Sequence, residues 1–141
     1  MSRIFWDSNL FIYLFEENPE YVDMVVNLRR KMLERGDQLL TSMLTVGEIL
    51  VKPMTRGDTA LCREYENTLS TSAVLLPFDL KVARRYAAIR SASSTIKPPD
   101  AVQLACAGEA GVDLFVTNDH RLYGKRVDGI QFIVALDQVP I

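Results

Sequence analysis

Short apolar runs of strand length alternate with longer segments of helical periodicity along the whole chain. RIFW near the start and QLLTS further on are such apolar runs, and a helical pattern follows each of them. The alternation continues through AVLLPFD, LFVT and a last strand near QFIVAL. Helices are predicted over NLFIYLFEE, about Tyr21 to Glu34, VGEILVK, GDTALCREYENTLS, LKVARRYAAIRSA and a segment that begins at Pro98 and Pro99.

Residues that favour helix ends mark several of these boundaries. Gly36 is expected to end the second helix, because glycine adopts the left-handed conformation found after many helices. Pro53 is expected to terminate the helix of VGEILVK, since proline has no N–H to donate. Side-chain caps are expected from Ser42 or Thr45, from Asp58 or Thr59, and from Asp79.

Strands separated by helices indicate a parallel sheet with helices on both faces. In sheets of this kind, ligands bind beyond the carboxyl ends of the strands. The polar residues that follow each predicted strand are therefore the first candidates for a functional site.

The composition is consistent with one globular domain. The chain has 141 residues, of which 48% are hydrophobic and 24% charged, enough for one substantial core. Asp7 interrupts the apolar start, and no apolar stretch approaches the roughly 20 residues of a membrane span, so a cytoplasmic location without a membrane anchor is expected. Cys62 and Cys106 lack the spacing of a zinc site or disulfide framework and are expected to be packed thiols.

The net charge of −2, from 16 bases and 18 acids, is not that of a protein that coats nucleic acid. If four acids are gathered in one pocket, however, the remaining chain carries 16 bases and 14 acids. Clusters at 29–31 and 125–126 could then contact phosphates, although each could equally be a solvated helix face.

Two acids follow predicted strands. Asp7 comes directly after RIFW, and Asp119 comes after LFVT and Asn118. Each could simply cap the element that follows, which is the role expected of Asp79. As members of a site, both would lie at the same edge of a parallel sheet.

Two further acids belong to helices rich in apolar residues. Glu48 lies within LTVGEILV, with apolar residues before and after it, and burying an unpaired carboxylate there would cost several kcal/mol. A position facing out beside Gly47 is the alternative. Asp100 follows the two prolines at a helix start, where the helix dipole tolerates an acid. The segment AVQLACA behind it is small and apolar, which places Asp100 at the rim of the core.

Together these four carboxylates predict a site for a hard divalent cation. Oxygen ligands favour Mg²⁺ or Mn²⁺ over zinc, and the chain has a single histidine. Such a site could activate water and stabilise the oxygens of a phosphodiester during hydrolysis.

The ordered set FWDSNLFIYL, TSMLTVGEILVKP, IKPPDAVQLACA and LFVTNDHRL resembles the motifs of the PIN domain nucleases, and especially of the VapC-type toxins of bacterial toxin–antitoxin pairs. Each motif alone is weak, but the four stand in the family's order and span nearly the whole chain. The resemblance implies one PIN-like domain over residues 1–141. Its fold would be a three-layer α/β/α arrangement around a central parallel sheet of four to five strands.

The resemblance also implies roles for particular residues. Asn9 and Thr117 resemble supporting polar positions, and Asn118 is expected to help orient Asp119. Ser8 stands where the family more commonly has threonine, which keeps a hydroxyl, and His120 matches no family ligand and is expected to face solvent in a turn. The residues implied to be catalytic and to hold Mg²⁺ or Mn²⁺ are Asp7, Glu48, Asp100 and Asp119.

The function implied is metal-dependent cleavage of RNA by an endoribonuclease, with a small antitoxin as partner and a homodimer as the assembly. A basic antitoxin tail could place its cation among the four acids. Its amphipathic helix could lie on NLFIYLFEE and YVDMVVNLRRKML, although these faces could instead fill the core or a homodimer interface.

Three other functions remain open at this point. One is an RNA-processing nuclease of the same family without an antitoxin, and another is a non-catalytic module that binds RNA or protein. The third is a phosphoryl-transfer enzyme of the haloacid dehalogenase type. That class needs a second Asp two residues after the first, where this chain has Asn9, and a lysine motif that the chain lacks.

Overall fold

The computed structural model describes residues 1–141 as five parallel strands with helices packed on both faces. The predicted parallel α/β fold is therefore confirmed. The strands are β1 (Arg3–Trp6), β2 (Gln38–Ser42), β3 (Val74–Leu76), β4 (Val112–Thr117) and β5 (Ile130–Ala135). The helices are α1 (Ser8–Phe15), α2 (Val22–Arg35), α3 (Met43–Thr55), α4 (Thr59–Ser72), α5 (Leu80–Ala92) and α6 (Pro98–Ala110), with 3₁₀ turns at His120–Leu122 and Leu136–Gln138.

Successive side chains of the central strand β1 pack against opposite helical layers. Ile4 and Trp6 belong to the core shared with α1 to α4, whereas Phe5 belongs to the core under α5 and α6. Phe5 stacks on Phe115 of β4 with ring centroids 5.0 Å apart. This alternation, which follows from the two-residue period of a strand, produces the three layers.

The strand order β3-β2-β1-β4-β5 places the start of the chain at the centre of the sheet. The chain leaves β1 toward β2 on one side, and later forms β4 on the other side. Ligands of doubly wound sheets bind at such a reversal, outside the carboxyl ends of the strands. The crevice of this sheet therefore lies beside the residues that follow Trp6 and Thr117.

Helix α6 is held close to the end of the sheet by two glycines. Gly108 of α6 lies against the turn before β5, where a Cβ on Gly129 would come within 2.0 Å of the Gly108 carbonyl oxygen. Gly129 also has a φ of +88°, which other residues rarely adopt. Only glycine fits this contact, which fixes the helix whose first turn carries Asp100.

One predicted helix boundary was wrong, and one predicted side-chain cap is absent although Ser42 does directly precede α3. Pro53 does not terminate α3, which continues to Thr55, because a proline in the last turn removes only one helical hydrogen bond. Neither Ser42 nor Thr45 caps α3 with its side chain, because the Ser42 hydroxyl donates to Gln103 instead. By contrast, Gly36 ends α2 in the left-handed conformation, with φ at 73°, as predicted.

Strand β3 is shorter than the predicted AVLLPFD segment, because Pro77 follows it and has no N–H for the ladder. Asp79 caps α5 by accepting from the Val82 amide, as predicted, and Asp58 caps α4 in the same way. No helix of the chain is both long and apolar enough to cross a lipid bilayer.

Candidate active site

The four predicted acids come from four different elements that meet at the carboxyl edge of the sheet. Asp7 follows β1 and Asp119 follows the neighbouring β4, whereas Glu48 lies on α3 and Asp100 in the first turn of α6. Asp7 is 6% exposed. The side chains of Asp100 and Asp119 are 18% and 16% exposed, and Glu48 is half-buried.

Asp7 is the buried centre of this group. Its Oδ1 accepts from the Ser8 amide at 2.8 Å, and its Oδ2 accepts from the Thr117 hydroxyl at 2.7 Å. Burial raises the pKa of Asp7 to about 6, and the bonds from Thr117 and Ser8 oppose that rise. The negative charges of Asp100 and Glu48 raise this pKa further. Both acids therefore interact electrostatically with Asp7.

Thr117 links the ends of β1 and β4. Besides donating to Asp7, its hydroxyl oxygen accepts from the Asp119 amide at 3.0 Å and from Asn9 Nδ2 at 3.4 Å. Asn9 Oδ1 is buried without a hydrogen-bond partner. Thr117 and Asn9, both predicted from the sequence as supporting positions, thus lie beside Asp7 and Asp119.

Asp119 is bonded by an arginine that the sequence interpretation did not single out. Arg121 Nε lies 2.9 Å from Asp119 Oδ1, and Arg121 Nη2 lies 2.5 Å from Oδ2. The same Nη2 is 3.7 Å from Asp100 Oδ2. The bonds from Arg121 lower the pKa of Asp119. Burial raises the pKa of Asp100, and the charge of Asp119 adds to that rise, whereas Arg121 opposes it.

Asn118 and His120 lie on either side of Asp119 in sequence but do not hydrogen-bond its carboxylate. Asn118 Nδ2 donates to Tyr13 Oη at 3.1 Å, whereas the Asp119 amide donates to Thr117 Oγ1 and the Asp119 carboxylate accepts from Arg121. In this arrangement the Asn118 side chain bonds Tyr13, and its expected role in orienting Asp119 stays a prediction. His120 is exposed at the start of a 3₁₀ turn, in agreement with its expected position.

Gln103 is a second residue that the sequence interpretation missed. It lies on α6 three residues after Asp100, and is 2% exposed. Its Nε2 donates to Thr45 Oγ1 at 2.9 Å and lies 3.5 Å from Asp7 Oδ1, and its Oε1 accepts from the Ser42 hydroxyl. The sequence feature that could have identified Gln103 is its amide within the otherwise apolar segment AVQLACA, because a buried amide needs hydrogen-bond partners.

The donor set fits a hard divalent cation. Four carboxylates and the unpartnered Asn9 Oδ1 offer only oxygen, which suits Mg²⁺ or Mn²⁺. In the present arrangement, no three acid, imidazole or thiol groups converge closely enough to enclose an ion, and both oxygens of Asp119 bond Arg121. For Asp119 to hold an ion, its bonds to Arg121 would therefore have to be exchanged for bonds to that ion.

The raised pKa of Asp7 predicts a dependence of stability on pH. Its value of about 6, against an ordinary 3.8, means that the folded chain binds this proton more tightly than the unfolded chain. The stability gained from the proton is present below about pH 4 and is lost as the pH rises through about 6. In EDTA, the free energy of unfolding of the wild type relative to Asp7→Asn should fall by the order of 2 to 3 kcal/mol between these limits.

Urea titrations of both proteins at a series of pH values measure this difference. Titrating groups that do not interact with Asp7 contribute equally to both chains and cancel in the comparison. A difference that stays constant from about pH 4 to about pH 7 would contradict the electrostatic description of Asp7.

Comparison with known proteins gives matches in both sequence and structure. The PIN domain model matches residues 4–128, which include all four acids. No curated protein matches the chain.

Among solved structures, VapBC2 from Rickettsia felis bound to a DNA fragment from their promoter has a TM-score of 0.75 at 14% identity, over 94% of this chain and 98% of that one. DNA-bound VapBC from Salmonella typhimurium has a TM-score of 0.70 at 21% identity, over 96% and 99% of the two chains. A toxin–antitoxin complex from Klebsiella pneumoniae has a TM-score of 0.66 at 20% identity, over 93% and 99%. These likenesses show a shared fold, and the sequence match over most of the length shows that the chain belongs to the PIN domain family.

Proposed function

We propose that this chain is a metal-dependent endoribonuclease that hydrolyses RNA phosphodiester bonds, and that it is the toxin of a type II toxin–antitoxin pair. The observation that carries the nuclease proposal is the gathering of Asp7, Glu48, Asp100 and Asp119 at the carboxyl edge of β1 and β4, where their charges influence one another. Like charges gathered in one pocket repel and so raise the free energy of the folded chain. A cation bound among the four carboxylates would offset this repulsion, which is why the arrangement supports a cation site.

The four acids would hold one or two Mg²⁺ or Mn²⁺ ions. A bound ion would polarise a phosphodiester oxygen and lower the pKa of water so that it can attack phosphorus. Thr117 and the Ser8 amide hold the Asp7 carboxylate in a fixed orientation through short hydrogen bonds. Gln103 ties α6, which carries Asp100, to Thr45 of α3 and to the Ser42 hydroxyl.

The two cysteines are poorly placed to act as covalent nucleophiles. Cys62 and Cys106 are free and buried, and burial raises the pKa of the Cys106 thiol to about 11. A thiol must lose its proton to become an effective nucleophile. Hydrolysis by water, without a covalent intermediate, is therefore the proposed reaction.

RNA is proposed as the substrate because cationic side chains lie beside the acidic pocket, where they suit a nucleic acid, and because the sequence motifs resemble those of ribonucleases. Lys97 precedes α6 and is near enough to Asp100 to lower its pKa, although burial outweighs it and the net shift is upward. Arg121 contacts two of the acids. Such residues can position the phosphates on either side of the cleaved bond.

Cleavage of mixed single-stranded RNAs should require Mg²⁺ or Mn²⁺ and should stop when EDTA is added. Asp7→Asn and Asp119→Asn should each lower the rate at least about 100-fold, because each removes a charged ligand. Asp58→Asn is the matched control, since Asp58 caps α4 and asparagine caps as well as aspartate. Cleavage that persists in EDTA, or in Asp7→Asn, would contradict this mechanism.

The toxin proposal rests on the fold and on exposed apolar side chains. The similar solved structures from R. felis and S. typhimurium are VapBC assemblies, and the Klebsiella structure is a toxin–antitoxin complex. Part of the predicted partner surface is used by the core, since Phe11 of α1 and Met32 of α2 are buried. Val26 and Leu33 of α2 are 50% and 63% exposed, and both remain accessible to a partner helix.

We propose the cytoplasm as the site of action, because RNA and a newly made antitoxin are both present there. We also propose a homodimer. Helix α3 offers a second apolar surface for it, at Met43, Val51 and Met54, which are all exposed.

Expression of this chain alone should arrest growth of a bacterial host, and expression together with the small reading frame beside its gene should restore growth. The same small protein should co-purify, and Asp7→Asn should remove the arrest while retaining the partner. Normal growth with wild-type chain alone, and no co-purifying protein, would instead support an RNA-processing nuclease. Purified chain that binds RNA without cutting it would support a binding module.

A further inference from the structure

Arg121 is a cation supplied by the chain itself to the acidic pocket. Its guanidinium bonds both oxygens of Asp119, at 2.9 and 2.5 Å, and lies 3.7 Å from Asp100. The Arg121 side chain is 50% exposed, so it could have extended into solvent. It lies instead across two of the four carboxylates that are expected to hold a metal ion.

The position of Arg121 is set locally. Asp119 and Arg121 are separated by one residue in a 3₁₀ turn, and the Arg121 amide also donates to Asp119 Oδ1 at 3.1 Å. The side chain therefore reaches the carboxylate without any rearrangement of the fold. Because only its far end enters the pocket, it can leave by rotation of side-chain bonds alone.

A guanidinium and a divalent cation compete at this position. Both need the lone pairs of Asp119 and the negative field of Asp100, and two cations within a few ångströms repel each other strongly when partly shielded from water. Arg121 must therefore release Asp119 when an ion binds. After release, it stands at the rim of the pocket, where its planar fork matches the geometry of a phosphate.

We propose that Arg121 competes with the divalent cation for Asp119 and Asp100, and that it transfers to a phosphate of the RNA when the ion binds. This inference rests on the proposed function and adds a residue that couples ion binding to substrate binding. Removing Arg121 has opposite effects on the two ligands, because it removes a competitor of the ion and a contact of the RNA. A purely structural ion pair would not produce this combination.

The variant Arg121→Ala tests the competition between Arg121 and the divalent cation by a binding measurement that involves no RNA cleavage. Binding of Mn²⁺ to RNA-free protein is measured from the electron paramagnetic resonance signal of the free ion, and Kd should fall about 3-fold to 10-fold relative to the wild type. Arg126→Ala is the matched control, an exposed arginine of the same loop, and its Kd for Mn²⁺ should stay within about twofold of the wild type. Arg121→Lys keeps the charge without the fork, and should fall between wild type and Arg121→Ala.

The transfer of Arg121 to a phosphate of the RNA is tested by the kinetics of RNA cleavage at saturating Mn²⁺. The KM of Arg121→Ala for RNA should rise about fivefold or more, with a smaller change in kcat. The reason is that the phosphate contact is lost both in the bound substrate and in the transition state. Urea unfolding of the variants confirms that they fold. Should Arg121→Ala unfold more easily than the Lys variant, the same comparisons are made between the wild type and Arg121→Gln.

The outcomes separate this inference from the proposed function. A wild type that binds no Mn²⁺ would overturn both. A wild type that binds Mn²⁺, with an Arg121→Ala variant that binds it equally or more weakly, would overturn the role of Arg121 alone. Tighter Mn²⁺ binding with an unchanged KM would overturn the transfer to RNA phosphate.

Discussion

The burial of the Asp7 carboxylate between the ends of two neighbouring strands is the constraint on which the site depends. The sheet places β1 beside β4, so the residues after both strands must meet at one edge. Asp7 is thereby removed from water and its pKa rises to about 6. The short bond from Thr117, on the neighbouring strand, offsets part of that cost. The rest of the site is arranged around this one charge.

The other acids are held at distances that make their charges interact but do not yet enclose an ion. Each belongs to a packed element or directly follows one, so the packing of the fold sets the backbone positions of the carboxylates relative to one another. The buried bonds of Gln103 join α3 to α6, and the close contact of Gly108 with Gly129 fixes the other end of α6. The carboxylates of the pocket therefore repel one another, and the positive charge of Arg121 offsets part of this repulsion.

Much of the fold could be predicted because its signals are local. Apolar runs of strand length, the glycine after α2 and the paired prolines before Asp100 each act through neighbouring residues. The alternation of strands and helices then indicated a parallel sheet, and the carboxyl ends of its strands indicated where Asp7 and Asp119 should lie. The error at Pro53 arose because a proline in the last turn of a helix costs little, and the expected cap by Ser42 is absent because a tertiary hydrogen bond to Gln103 uses its hydroxyl.

The partners of the site could not be predicted in the same way. Gln103 is 96 residues from Asp7 in sequence, and an amide in an apolar helix gives no indication of which groups it will meet. Arg121 is close to Asp119 in sequence, but the direction of an exposed side chain depends on the surrounding charges. Asn118 was expected to serve Asp119 because it is adjacent, whereas the turn of the backbone directs its amide to Tyr13.

The central claim, that these acids form a cation site, is tested most directly by thermal unfolding with and without Mn²⁺. For the wild type and the control Asp58→Asn, the melting temperature should rise by roughly 5 to 10 °C at about 100 times Kd, because the ion binds only the folded chain. Asp100→Asn should melt no lower than the wild type in EDTA, since a charge with a raised pKa has been removed, and Mn²⁺ should raise its melting temperature much less. Equal shifts in all three proteins would contradict the assignment of the cation to this pocket.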